Sequence, residues 1–190
     1  MRLNICNLSS EPRWSLPEQV SRAQTPDLLV MGWLLDTGSL TQRLRAACPG
    51  QLRVEVLDQA FRRPTLSELQ TLDMPINELA WVRQVHLLCD GKPLVFARTV
   101  IPVSSLVGRC RRLARLGNRP LGALLFADKS MRRGEMEIAC LKPRHAVFPV
   151  ATRHLLRKPA AIWGRRSVFF LNRKPLLVSE VFLPEIAQLG

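Results

Sequence analysis

One acid in this chain sits where an acid is hard to keep. In KPLLVSEVFLP, residues 174–184, strand alternation puts Glu180 on one face with Leu176, Val178 and Phe182 and gives the other face to Leu177, Val181 and Leu183. A carboxylate between two apolar faces must be protonated or given a partner. It is therefore half of a structural salt bridge or a functional acid, and the residues alone leave both open. A second anomaly concerns cations. WVRQVHLLC and PLVFARTVI flank Cys89-Asp90-Gly91-Lys92, and Asp-Gly is the dipeptide of a two-residue type I′ turn. Without a bulge, Cys89 opposes Lys92, and counting back pairs Leu87 with Leu94, Val85 with Phe96, Arg83 with Arg98 and Trp81 with Val100. Pro93 then meets Leu88 where its missing N–H does no harm. Two guanidiniums opposed on an apolar face need an anion between or above them, and the candidates are Glu180 and a bound carboxylate.

Three helix starts and two hairpins must position these groups. Pro26 suits the first helical position after Thr25, Asp27 suits the positive end, and LLVMGWLL supplies the body of a core helix. Ser39 and Gln42 have the spacing of a capping box, opening a short helix that ends near Cys48-Pro49-Gly50. QLRVEVLD, residues 51–58, alternates as a strand, and 60–79 reads as a connecting loop with one short helix after Thr65. A third helix starts at Asn118-Arg119-Pro120-Leu121. Amides at the starts, among them those of Leu40 and Leu121, have no intrahelical partner and are available to anions. SMRRGEMEIA, residues 130–139, is a strand, and the second hairpin joins VFFL to PLLVSEVFL through Asn172-Arg173-Lys174.

A chain of 190 residues fits one domain with a sizeable core, and 47% hydrophobic with 23% charged residues is ordinary for a globular protein. No apolar run approaches the ~20 residues of a membrane span. The N-terminal stretch lacks the apolar core of a signal peptide, so a cytoplasmic location is expected. Cys6, Cys48, Cys89, Cys110 and Cys140 make no CxxC pair, and reduced thiols filling core space are expected rather than disulfides or zinc. His86, His145 and His154 read as strand and loop residues without partners, so no metal centre is expected. Trp14, Trp33, Trp81 and Trp163 read as packing residues. The net charge of +13 admits nucleic acid, an anionic membrane or small anions as partners. Arg109, Arg111, Arg112 and Arg115 fall opposite Leu106, Cys110, Leu113 and Leu116 on one helix, which makes them a solvated face. With no RRM, KH or zinc-finger pattern and no tyrosine for stacking, nucleic acid is not an expected partner.

LLCDGKPLVFARTVIPVSSL, LGNRPLGALLF, WGRRS and KPLLVSEVFLP, in that order, resemble the chorismate pyruvate-lyase family, which makes 4-hydroxybenzoate from chorismate in bacterial ubiquinone synthesis. The resemblance runs from about Trp33 to Pro184. It implies a single α+β domain with an antiparallel β-sheet and helices packed around it, a product site closed off from solvent, and no cofactor or metal. Position by position, Arg83 in WVRQ matches the arginine that pairs with the ring carboxylate. Leu121 in RPLG matches a residue whose backbone amide meets the same group. Leu40 stands where the family commonly has methionine, again a backbone contact, and Glu180 in VSEVF matches the acid at the hydroxyl end of the ring. The resemblance thus makes Arg83 and Glu180 catalytic, and Leu40, Arg83, Leu121 and Glu180 substrate-binding. Arg98, adjacent to Arg83 by the register above, is a further candidate for the second carboxylate or for tuning Glu180. Residues 1–32 match poorly, and 139–162 read as a basic insertion without an assigned role.

The implied partners are chorismate and 4-hydroxybenzoate, with the protein a monomer; contact with a membrane prenyltransferase that would use the product is left open. A product satisfied at both ends should leave slowly, so product inhibition is expected. A competing reading is a non-catalytic ligand-sensing domain of the same fold, binding a small aromatic or carboxylic acid. Such domains are attached to a helix-turn-helix region, and none is evident before Trp33 or after Pro184. An RNA-associated basic protein is a third reading, and it demands steep salt dependence of binding.

Overall fold

The computed structural model describes residues 11–21 and 25–189, and its frame is a six-stranded sheet. Strands β1 (Leu52–Arg62), β2 (Ala80–Cys89), β3 (Lys92–Pro102), β4 (Arg132–Leu141), β5 (Ile162–Leu171) and β6 (Lys174–Phe182) lie in the order β1-β2-β3-β6-β5-β4, antiparallel throughout. Both expected hairpins form. Asp90 and Gly91 at one turn, and Asn172 and Arg173 at the other, all take positive φ, as a type I′ turn requires. The hairpins then join along β3 and β6, which brings β2 and β5 into one surface.

Local signals set the helices. α1 (Leu28–Leu35) is capped by Asp27, whose side chain accepts from the Val30 amide at 2.8 Å, so Pro26 precedes the cap instead of opening the helix. Trp33 and Leu34 are buried but Leu28 and Leu29 are exposed, so α1 is core on one side only. α2 (Leu40–Ala47) starts at Ser39, whose hydroxyl accepts from the Gln42 amide. α3 (Leu66–Thr71) has the reciprocal capping box, Thr65 with Glu68. α4 (Leu121–Ala127) follows Pro120, and α5 (Val147–Ala151) lies in the segment between β4 and β5.

Strand parity sorts the core into two faces. Trp33, Leu34, Leu40 and Leu44 pack on Val85, Leu87, Val95 and Phe182, while Leu121 and Leu125 pack on Phe169 and Val178. On the other face, Phe148 and Ala151 of α5 pack on Phe96, Leu141 and Val181. The segment Gly108–Arg115 is a 3-10 helix that buries Cys110 and Leu113 and exposes Arg111, Arg112 and Arg115, a solvated basic face as expected. The Arg109 side chain lies outside the described set, as does Cys6.

Two larger departures concern the register of the first hairpin and the cysteines. The β2–β3 ladder keeps Cys89 opposite Lys92 and Leu88 opposite Pro93, but a bulge follows and Leu94 is left over. Leu87 then pairs with Val95, Val85 with Ala97, Arg83 with Thr99 and Trp81 with Ile101. A one-residue slip turns every later side chain to the opposite face, so Arg98 never meets Arg83. It turns to the back of the sheet, where its Nε and Nη2 donate to Glu68 at 2.6 and 2.9 Å. The second departure is from the thiol reading: Cys48 and Cys89 are joined in a disulfide, with Cα atoms 5.9 Å apart. Sequence spacing hides this pair because they meet only when the C-cap of α2 packs against the end of β2. Cys110 and Cys140 are free. Among the described residues, no helix is long and apolar enough to cross a membrane.

Candidate active site

Leu40, Arg83, Leu121 and Glu180 all line one cavity between the sheet and the starts of α2 and α4. Register fixes how Arg83 and Glu180 stand. Arg83 faces Thr99, Thr99 faces Val178, and Glu180 lies two residues along from Val178, opposite Ala97. Two strand spacings across and two residues along put their Cα atoms roughly 12 Å apart. Both side chains project from the same face of the sheet into that cavity.

Arg83 is 3% exposed, yet among the described residues no carboxylate pairs with it. Its Nη2 donates to the carbonyls of Gly117 and Arg119 at 2.9 and 3.2 Å, and its buried Nε has no acceptor. Burial pulls this guanidinium below its ordinary pKa. A cation so placed is costly until an anion arrives.

Glu180 is held differently. Its Oε2 accepts from Arg165 Nε at 2.6 Å, and Arg165 is itself 1% exposed. Arg165 Nη1 donates to the carbonyls of Trp33 at 3.1 Å, Leu34 at 3.4 Å and Asp36. These carbonyls at the end of α1 lack intrahelical partners and carry the negative end of its dipole. So α1 orients Arg165, and Arg165 orients Glu180. The two readings of Glu180 are compatible, since it is ion-paired and also lines the cavity.

A third guanidinium, Arg133, completes the wall. Its partners are neutral: Ser167 Oγ at 3.0 Å, the Thr37 carbonyl at 3.1 Å and Met136 Sδ at 3.5 Å. Burial lowers its pKa, the nearby Arg165 lowers it further, and Glu180 and Asp36 act against them.

Neither Arg165 nor Arg133 was singled out by sequence. For Arg165 the signal existed: a two-residue turn at Asn172-Arg173 pairs Leu171 with Lys174, and counting back lands Arg165 on Glu180. Its neighbour Arg166 then faces the back, where it meets Glu137 at 2.8 Å and Ser67 at 2.6 Å. Arg133 gave no such signal, because it precedes an irregularity in the β4–β5 ladder. Arg98, the sequence candidate for a second carboxylate, is absent from this cavity and belongs to the Glu68 pair behind the sheet. The histidines also differ from expectation, for each has a partner. His86 Nε2 lies 2.9 Å from the Ala151 carbonyl, His145 Nδ1 accepts from the Lys142 amide at 3.0 Å, and His154 Nε2 stands 3.4 Å from Glu55.

Solved structures share this fold. The effector domain of PhnF from Mycobacterium smegmatis superposes with a TM-score of 0.54 at 12% identity, covering 80% of this chain and 91% of that one. The C-terminal domain of the histidine utilization repressor from Pseudomonas syringae gives 0.54 at 11% identity over 71% and 93%. At such identities the likeness shows the fold alone.

Sequence carries the family. The chorismate lyase family model matches residues 8–189, and the chain belongs to that family. Relatives named as probable chorismate pyruvate-lyases include one from Thiobacillus denitrificans, 44% identical over 97% of this chain and 96% of its own length. Another, from Aromatoleum aromaticum, is 45% identical over 83% and 85%.

Proposed function

We propose that the protein is a carbon–oxygen lyase that eliminates pyruvate from chorismate and leaves 4-hydroxybenzoate, the ring precursor of ubiquinone. The observation that carries this reading is the buried Arg83 cation, which no carboxylate among the described residues meets, in a cavity that Glu180 also lines. Family membership and the names of the relatives support the same substrate. Charge agrees. The lining carries three guanidiniums, those of Arg83, Arg133 and Arg165, against one carboxylate, Glu180, and chorismate is a dianion.

In the reaction the C3–O bond breaks with its electron pair going to the departing enolpyruvate, and a proton leaves C4. The C4–H electrons complete the aromatic ring, and the enolpyruvate takes a proton to become pyruvate. Arg83 holds the ring carboxylate, with the Leu40 and Leu121 amides beside it. Glu180, steadied by Arg165, meets the C4 hydroxyl and moves a proton there as general acid or base. Arg133 takes the side-chain carboxylate, the part the sequence reading gave to Arg98. The residues need only orient and polarise, since aromatisation supplies the driving force, and no step calls for a cofactor.

Purified protein incubated with chorismate tests this directly. Equal amounts of pyruvate and 4-hydroxybenzoate should appear, slowing as the product accumulates. Tight binding of 4-hydroxybenzoate with no turnover would instead identify a ligand-sensing domain.

A further inference from the structure

The back of the sheet carries a cluster that the proposed reaction does not use. Glu55 on β1 pairs across the ladder with His86 on β2. His154, from the segment between α5 and β5, packs edge-on against His86 with ring centroids 5.1 Å apart. The ring proton of His86 has a defined place. Its Nε2 contacts the Ala151 carbonyl at 2.9 Å, and a carbonyl only accepts, so Nε2 carries the hydrogen and Nδ1 carries a lone pair.

That Nδ1 is buried without a hydrogen-bond partner, in a residue 0% exposed. It stands 3.8 Å from Glu55 Oε2, which is also an acceptor, and His154 Nε2 stands 3.4 Å from the same oxygen. Two lone-pair atoms thus face each other in a place where water does not reach Nδ1. An ion pair between His154 and Glu55 would account for those two residues and leave His86 unexplained. A cation seated among all three accounts for each.

We infer that Glu55, His86 and His154 form a binding site for a divalent transition metal of the zinc class, which pins the segment between β4 and β5 to the sheet. The ligand atoms already lie within 4.8 Å of one another. Bonds of ~2.0–2.1 Å at tetrahedral angles place ligand atoms roughly 3.4 Å apart, so the 3.4 Å pair needs no movement and the 3.8 Å pair little. Two imidazole nitrogens and one carboxylate are a common zinc donor set, and the bond from His86 to the Ala151 carbonyl is the outer support such a histidine normally has. Glu55 and His154 are 42% and 38% exposed, which gives the metal an entry path and leaves a fourth position to water. The histidines bind neutral, so binding weakens as pH falls, while burial and the nearby Arg153 keep His86 neutral to lower pH. The site lies on the opposite face from the cavity and stands or falls independently of the lyase activity.

The test is calorimetric titration of tag-free, chelator-stripped protein with Zn²⁺, paired with thermal melts with and without the metal. The wild type should bind one Zn²⁺ per chain and melt higher when loaded. His154→Ala and Glu55→Ala, both substitutions at exposed positions, should weaken binding ~10-fold or more and lose that rise, while Cys140→Ala should bind as the wild type does. The assignment is overturned if the wild type shows no saturable binding, if both variants bind as it does, or if Cys140→Ala is the variant that loses the metal.

Discussion

Arg83 and Glu180 do opposite things with their charge. Arg83 is buried and, among the described residues, unpaired by any carboxylate; in the proposed reaction a ligand anion offsets its cost. Glu180 has its counter-ion in place, and Arg165 limits the positions it can take. In the proposed reaction one residue binds the substrate anion while the other is oriented beforehand. Glu180→Gln should keep the shape and lose the proton transfer, lowering kcat by ~10²–10⁴-fold. Arg83→Ala should lower kcat/KM by ~10–100-fold through the lost charged hydrogen bonds. Both variants should retain the far-ultraviolet circular dichroism of the wild type, and near-normal turnover in either would remove that residue from the mechanism. Both stood out in the sequence because a charge on an apolar strand is conspicuous, while their roles were implied by the family resemblance. Sequence assigned Arg98 wrongly because one extra residue, Leu94, reverses the faces, and nothing in the local pattern announces a bulge.

Elements explain what residues could not. The hairpins and the helix starts were legible because turn and capping chemistry is local: Asp-Gly, Ser39 and Thr65 act within a few residues of themselves. The cavity needs non-local facts, namely that β3 meets β6 and that the end of α1 lands on Arg165. The disulfide is of the second kind. It ties the C-cap of α2, the helix whose start carries Leu40, to the β2–β3 turn. A link closing 41 residues is worth about 4 kcal/mol on a chain-entropy account, an upper figure. Reductant should therefore lower the thermal midpoint by up to ~16 °C, read by differential scanning fluorimetry. An unchanged midpoint would mean that the pair does not carry that load.

At the scale of the molecule, one sheet separates two faces: a cavity under α2 and α4 that Arg83, Arg133 and Arg165 line, and a back face of ion pairs with histidines beneath α5. The back face sets the response to acid. Burial lowers the pKa of His86 and of His145 below the ordinary 6.5. Around His86, Glu55 acts to raise it while His154 and Arg153 lower it; around His145, Arg144 and Lys142 also lower it. The unfolded chain then binds more protons than the native one below 6.5, so this stability is present above that pH and is lost as pH falls through it. With chelator present, the urea midpoint should be lower at about pH 5.5 than at about pH 7.5. An equal or higher midpoint in acid would contradict the buried neutral histidines.

The claim beneath all of this is that Arg83 and Glu180 hold the two ends of one ring. Calorimetric titration of 4-hydroxybenzoate and benzoate into wild type and Glu180→Gln tests it as a cycle. If Glu180 meets the hydroxyl, removing that hydroxyl should weaken binding to the wild type by about 10-fold and matter little in the variant. An equal loss in both proteins would show that Glu180 does not touch that end of the ring, and the account of the site would fail.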